Sequence, residues 1–234
     1  MWVGVISDVH ANRVALDAVL EDMPDVDRLV CAGDVVGYNP WPADCIDRVR
    51  ERADVTVQGN HDRAVATDPG FRFNSLAGAG LRYTREALDD AHVDWLATLP
   101  SDATIAVGDR HVRVVHGHPT DPNRYTRPDE FGPELLRADV GRSSRDADGS
   151  DPDVLAMGHT HVQSHEVYPE GIVMNPGSVG QPRDGDPRAA YAVVDLEEMT
   201  VDERRGEYDV DRVIEELENV DLPTELGERL REGR

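Results

Sequence analysis

The chain has 234 residues, 39% of them hydrophobic, and a formal net charge of −23; this is enough for one sizeable core, low in apolar content and extreme in charge for a globular protein. All 24 basic residues are arginine and they are scattered, which speaks against a surface that tracks a nucleic-acid backbone. No apolar run reaches the roughly 18 residues of a membrane-spanning helix, and no signal-peptide pattern opens the chain, so a cytoplasmic location without membrane contact is expected.

The acids spread over helical and loop stretches and read as a solvated surface. Acidic, lysine-free composition resembles proteins of salt-loaded, halophilic cytoplasms, where self-repulsion is screened over roughly 3 Å at molar salt. Cys31 and Cys45 are the two cysteines, and their spacing fits neither a disulfide framework nor a zinc knuckle.

In chain order, Val3 to Ser7 is an apolar run that ends in Asp8-Val9-His10. Asn12 can cap a helix with Val14, Ala15, Ala18 and Val19 on one face, ending near Pro24. Arg28 to Ala32 is a second strand running into Gly33-Asp34, and a helix follows Pro42 as far as Arg52. Val55 to Val57 then runs into Gly59-Asn60-His61-Asp62. The first polar groups fall at Asp8, Asp34 and Asn60, two equal steps of 26 residues (34 − 8 and 60 − 34). That is the length of a βα unit, so three such units set two carboxylates and an amide along one sheet edge, where ligands of open α/β sheets bind. A row of oxygen ligands suits divalent cations.

A helical stretch starts at Asn74, a short one surrounds Trp95 and Leu96, and Thr104 to Val115 reads as a hairpin delivering His116. Gly117 to Pro133 is a polar, proline-rich loop beside the site, and Asp139 to Asp153 a surface insertion. Val154 to Met157 leads into Gly158-His159-Thr160-His161. In an extended segment these two histidines project to one side and can reach two metals, or one. Strands are expected at 163–167, 172–174, 190–196 and 200–204. Residues 1–205 form the expected domain, and 206–234 a charged helical tail packed on it or extending from it. Five strands each ending in Asp, Asn or His are the signal.

This ordered set resembles the calcineurin-like metallophosphoesterase superfamily from Met1 to about Arg204. Ser7-Asp8-Val9-His10-Ala11-Asn12, Gly33-Asp34-Val35-Val36-Gly37-Tyr38, Gly59-Asn60-His61-Asp62 and Gly158-His159-Thr160-His161 carry the resemblance. The run Asn175-Pro176-Gly177-Ser178-Val179-Gly180-Gln181-Pro182-Arg183 is similar to the small prokaryotic phosphodiesterase branch. The resemblance implies a four-layer αββα sandwich of two mixed sheets flanked by helices, with metals above the strand ends. It implies one metal on Asp8, His10, Asp34 and His161, and a second on Asp34, Asn60, His116 and His159. Asp34 then bridges two divalent transition-metal ions, manganese foremost, with nickel, iron, cobalt or zinc open.

Two such ions about 3.5–4 Å apart share a hydroxide for in-line attack at phosphorus. His61, the motif histidine left outside the ligand set, is the candidate to protonate the leaving oxygen or stabilise phosphoryl charge. Asp62 is read either as fixing the His61 tautomer or as a helix cap. Asn12, Tyr38, His118 and Arg183 are candidate substrate contacts, His118 standing where the family pattern has a small residue. The expected reaction is hydrolysis of phosphodiesters or small nucleotide-like esters. The alternatives are a phosphomonoesterase, a dinucleoside polyphosphate hydrolase, or a non-catalytic interaction scaffold like the retromer subunit of this fold, with a homo-oligomer left open.

Overall fold

The computed structural model describes residues 1–67, 74–138 and 151–234. Among the described residues, ten strands form two mixed five-stranded sheets. The first sheet holds β1 (Trp2–Ile6), β2 (Arg28–Cys31), β3 (Val55–Thr56), β9 (Ala189–Asp195) and β10 (Thr200–Gly206) in the order β10-β9-β1-β2-β3. The second holds β4 (Asp102–Val107), β5 (Arg110–Val115), β6 (Val154–Ala156), β7 (Gln163–Tyr168) and β8 (Gly171–Pro176) in the order β4-β5-β6-β8-β7. Pairings β1 with β2, β2 with β3, and β5 with β6 are parallel. The three βα units therefore lie side by side as the 26-residue steps imply.

The two-residue period of a strand sorts its side chains between layers. Val3, Val5, Val30, Ala192 and Val194 of the first sheet meet Val112, Val114, Val154, Ala156, Ile172 and Met174 of the second. Their neighbours Ile6, Leu29, Cys31, Tyr191 and Val193 point the other way, onto helices. These are α1 (Arg13–Asp22), α2 (Pro42–Arg52), α3 (Asn60–Thr67), α4 (Ser75–Ala87) and α5 (Asp90–Thr98). On the far face of the second sheet Leu155 and Val173 bury against Leu135 and Leu136 of α6 (Glu134–Arg137). Four layers result: helices, sheet, sheet, helix.

Asn12 caps α1 by accepting from Ala15 N–H, and Asn74 caps α4 by accepting from Ala77 N–H, so both starts follow from the side chain that ends the preceding turn. The insertion expected at 139–153 lies, over 139–150, outside the described residues. The last two helices, α7 (Val210–Asn219) and α8 (Thr224–Glu232), bury Val213, Leu217, Leu226 and Leu230 against Tyr38 and Ala77. The tail thus closes over the loop that follows β2. Among the described residues no helix is long and apolar enough to cross a membrane.

Candidate metal centre

The polar residues gather where the C-terminal ends of β1, β2 and β3 meet those of β5 and β6. Strained backbone delivers them. Asp8, His10, Asp34, Tyr38, His159 and His161 all have φ between 48° and 71°, the left-handed region that costs a non-glycine residue of order 1–3 kcal/mol and clusters at functional sites. Gly59 is required by crowding of another kind. A Cβ there would stand 2.0 Å from Asp34 Oδ1, so only glycine lets the third strand end pass the Asp34 carboxylate.

Four histidines are oriented alike. His10 Nδ1 lies 3.1 Å from the Val36 carbonyl, His116 Nδ1 2.8 Å from that of Ala32, His161 Nδ1 2.5 Å from that of Gln181, and His159 Nε2 3.1 Å from that of Asn123. A carbonyl only accepts, so each of these nitrogens carries a hydrogen and the ring's other nitrogen faces the centre. His10 Nε2 and His161 Nε2 then face each other at 3.1 Å. With both Nδ1 hydrogens placed, this contact needs a proton or a cation between the rings.

The carboxylates complete the pattern. Asp8 Oδ2 accepts from the Ser7 hydroxyl at 2.7 Å and from His159 N–H at 2.9 Å. Its Oδ1, buried and without a hydrogen bond, stands 3.2 Å from His161 Nε2 and 3.6 Å from His10 Nε2. Asp34 Oδ1 accepts from His61 N–H at 2.8 Å, while Oδ2 lies between His10 Nε2 at 3.7 Å and His116 Nε2 at 3.4 Å. Asn60 Oδ1 is 3.1 Å from His116 Nε2. Potential ligand atoms of Asp8, His10 and His161 lie within 4.8 Å of one another, as do those of Asp34, His116 and His159. The seven residues singled out in the sequence as candidate ligands lie together, a third group of His10, Asp34 and His61 overlaps the other two, and mixed carboxylate, amide and imidazole donors fit divalent transition metals.

Charge in the centre follows from this packing. Burial opposes ionisation of Asp8 and Asp34, but the surrounding histidines outweigh it and hold both carboxyls well below the usual range. Burial likewise pushes His159 down to about 4 and His161 down to about 3. For His116 burial acts downward and Asp34 wins, raising it to about 10. Without a metal, the proton sits on His116 beside Asp34.

Two expectations change in the structure, and for Asp62 one of two readings is selected. His159 and His161 are not in extended backbone: with φ of 71° and 60° they diverge, His159 to the Asp34 and His116 group and His161 to the Asp8 and His10 group. Asp62 gives its oxygens to backbone, accepting from Val36 N–H at 3.2 Å and Gly59 N–H at 3.0 Å. It is the third residue of α3 reaching back to the residue before the helix, a capping bond, because adjacent residues on a helix do not face each other. Asn12 is wholly buried, one amide end capping α1 and the other donating to the Gly180 carbonyl at 3.1 Å, so it holds the 175–183 turn instead of facing substrate.

His118 closes a turn through Nδ1, which accepts from Thr120 N–H at 3.1 Å. Tyr38 does sit at the centre, its ring 4.7 Å from those of His10 and His61. Arg183 lies over it and donates to its hydroxyl at 3.3 Å. Residues with no earlier sequence signal also take part. Tyr125, half exposed, stacks on His159 at 4.1 Å, and Arg229 of α8 lies over the Tyr38 ring.

Two mixed sheets carry groups of candidate metal ligands at their strand ends, and the family match, with relatives named for the activity, makes the chain a metal-dependent phosphoesterase, a hydrolase. A family model for the calcineurin-like phosphoesterase superfamily domain matches residues 1–199, and the chain belongs to that superfamily. An uncharacterized protein of Methanocaldococcus jannaschii is 31% identical over 99% of this chain and 98% of its own. The phosphodiesterase YfcE of Escherichia coli K12 is 28% identical over 83% and 88%. Among solved structures, a metallophosphoesterase from Sphaerobacter thermophilus is 33% identical with a TM-score of 0.79, covering 100% of this chain and 99% of its own.

Proposed function

We propose that this chain hydrolyses phosphodiester bonds with two divalent metal ions, one on Asp8, His10, Asp34 and His161 and the other on Asp34, Asn60, His116 and His159. The observation that carries this reading is the 3.1 Å approach of two imidazole Nε2 atoms whose Nδ1 hydrogens are both given to carbonyls. Phosphodiester is preferred among phosphate esters because YfcE bears that name. Two divalent ions so held would supply an acidified water and a clamp for in-line displacement at phosphorus.

The protein's own groups do the rest. Asp8 and Asp34 stay ionised, and carbonyls of Val36, Ala32, Asn123 and Gln181 fix the four imidazoles before any ligand arrives. Burial, against the pull of Asp34, holds His61 down to about 3, so it is neutral at pH 7. A general acid works best with a pKa near the operating pH, so His61 acts as an N–H donor to phosphoryl charge and not as the proton source. Tyr38 and Arg183 approach the ester from beside His61. The net charge of −23 repels phosphate esters at long range, and molar salt shortens that repulsion to about 3 Å.

The test is hydrolysis of bis(p-nitrophenyl) phosphate beside p-nitrophenyl phosphate by metal-stripped protein in high salt, with Mn, Ni, Co, Zn or Mg restored singly. Metal-dependent turnover favouring the diester is expected. Turnover of neither ester with any metal, by protein of native circular dichroism, overturns the proposal.

A further inference from the structure

In a chain of 47 acidic and 24 basic residues, arginines find carboxylates readily, as Arg13 does with Asp44 and Arg205 with Asp184. Arg183 and Arg229 are different. Arg183 donates to the Tyr38 hydroxyl and, at 2.8 Å, to Gln181 Oε1, while Arg229 donates from Nε at 2.8 Å to a terminal oxygen of Arg234, the last residue of the sequence. Among the described residues neither is paired with an Asp or Glu side chain. Both guanidinium carbons lie over one ring, 5.7 Å and 5.9 Å from the centroid of Tyr38. Burial and repulsion from Arg183 pull the Arg229 guanidinium below its ordinary value.

Like charges gathered around one aromatic ring repel unless an anion joins them. Two further donors point to the same conclusion. Arg183 Nε and the Gln181 amide Nε2 are shut off from water and have no acceptor within the protein, an arrangement that native structures seldom leave unexplained. Tyr38 links this group to the centre through its contacts with His10 and His61 at 4.7 Å. Arg229 comes from α8, beyond residue 199 where the superfamily match ends.

We propose that Arg183, Gln181 and Arg229 form an anion seat beside the metal centre, and that the preferred substrate is a phosphodiester carrying a second phosphate group. A plain diester brings one negative charge, which the metals take. A second phosphate brings about two more and offers oxygens to two guanidinium forks. For its reaction this inference rests on the phosphodiesterase reading above; the seat itself rests on the guanidinium geometry alone. The C-terminal helices then set substrate choice.

Two variants separate charge from packing: Arg229→Met keeps an apolar stem on Tyr38, and Arg229→Lys restores the charge without the fork. The first readout is titration of metal-free full-length protein with inorganic pyrophosphate at fixed ionic strength, each variant's unfolding midpoint measured alongside. The wild type binds, Arg229→Met binds at least tenfold more weakly, and Arg229→Lys falls between. No binding by the wild type, or equal affinity in Arg229→Met, overturns the seat. The second readout is kcat/KM of metal-loaded enzyme on the p-nitrophenyl ester of thymidine 5′-phosphate with and without a 3′-phosphate. The wild type prefers the 3′-phosphorylated ester at least tenfold, and the preference collapses in Arg229→Met; equal preference in both proteins overturns the substrate assignment. If neither ester is turned over, the phosphodiesterase reading fails and the pyrophosphate titration still decides the seat.

Discussion

Replacing Asp34 by asparagine removes one charge and almost no volume from the point where the two ligand groups meet. The side chain is 2% exposed. Its Oδ1 bond from His61 N–H, at 2.8 Å, survives in an asparagine. What changes is Oδ2, which lies 3.7 Å from His10 Nε2 and 3.4 Å from His116 Nε2; there the amide would present N–H groups to the two imidazoles. At an effective dielectric of about 20, a unit charge 4 Å from another is worth about 4 kcal/mol, which is about a 10³-fold change in affinity. A divalent ion feels at least that, and in the proposed two-ion centre Asp34 would serve both sites, so Asp34→Asn is expected to lose both metals together. Elemental analysis after desalting, with calorimetric titration of Mn, reads this directly, near-ultraviolet circular dichroism confirming the fold. Two metals per chain in the variant, with affinity within tenfold of wild type, would refute the shared role of Asp34.

Four other outcomes are expected. His61→Ala retains its metal content and loses roughly 10²–10⁴-fold in kcat; loss of metal instead would make His61 a ligand alongside His10 and Asp34, whose ligand atoms it approaches. Gly59→Ala drives a Cβ to within 2.0 Å of Asp34 Oδ1 and should lower metal affinity, where an unchanged titration would contradict the crowding. Because Asp34, outweighing burial, raises His116 to about 10, this ring is protonated in metal-free protein at pH 7. Metal binding displaces that proton, so affinity should rise about tenfold per pH unit from about pH 7 towards 10. Calorimetry in buffers of different ionisation enthalpy detects the release, and none would contradict the placement. Finally, Arg113→Met strands the Asp102 carboxylate that Arg113 holds beneath the 117–133 loop, and unfolding should cost about 3–5 kcal/mol less, a change under 1 kcal/mol arguing against a buried pair.

The first three units were legible in sequence because a parallel crossover has nearly constant length, so Asp8, Asp34 and Asn60 had to fall at neighbouring strand ends. Helix starts at Asn12 and Asn74 were legible because one side chain decides them. The divergence of His159 and His161 was hidden, since nothing in the residue types of Gly-His-Thr-His announces left-handed backbone; tertiary packing imposes it. Of the two readings of Asp62 the helix cap is the one the structure takes, because successive helix residues point about 100° apart and adjacency to His61 does not make contact. Arg229 gave no signal, because only the burial of Leu226 and Leu230 against the Tyr38 and Ala77 surface brings α8 to the centre.

Two groups of residues sharing Asp34 are expected to hold two divalent ions. Anomalous diffraction from a crystal of the full chain equilibrated with manganese tests it most directly. Two peaks are expected: one amid Asp8, His10, Asp34 and His161, the other amid Asp34, Asn60, His116 and His159. A single peak, or manganese bound only away from these seven residues, would contradict it.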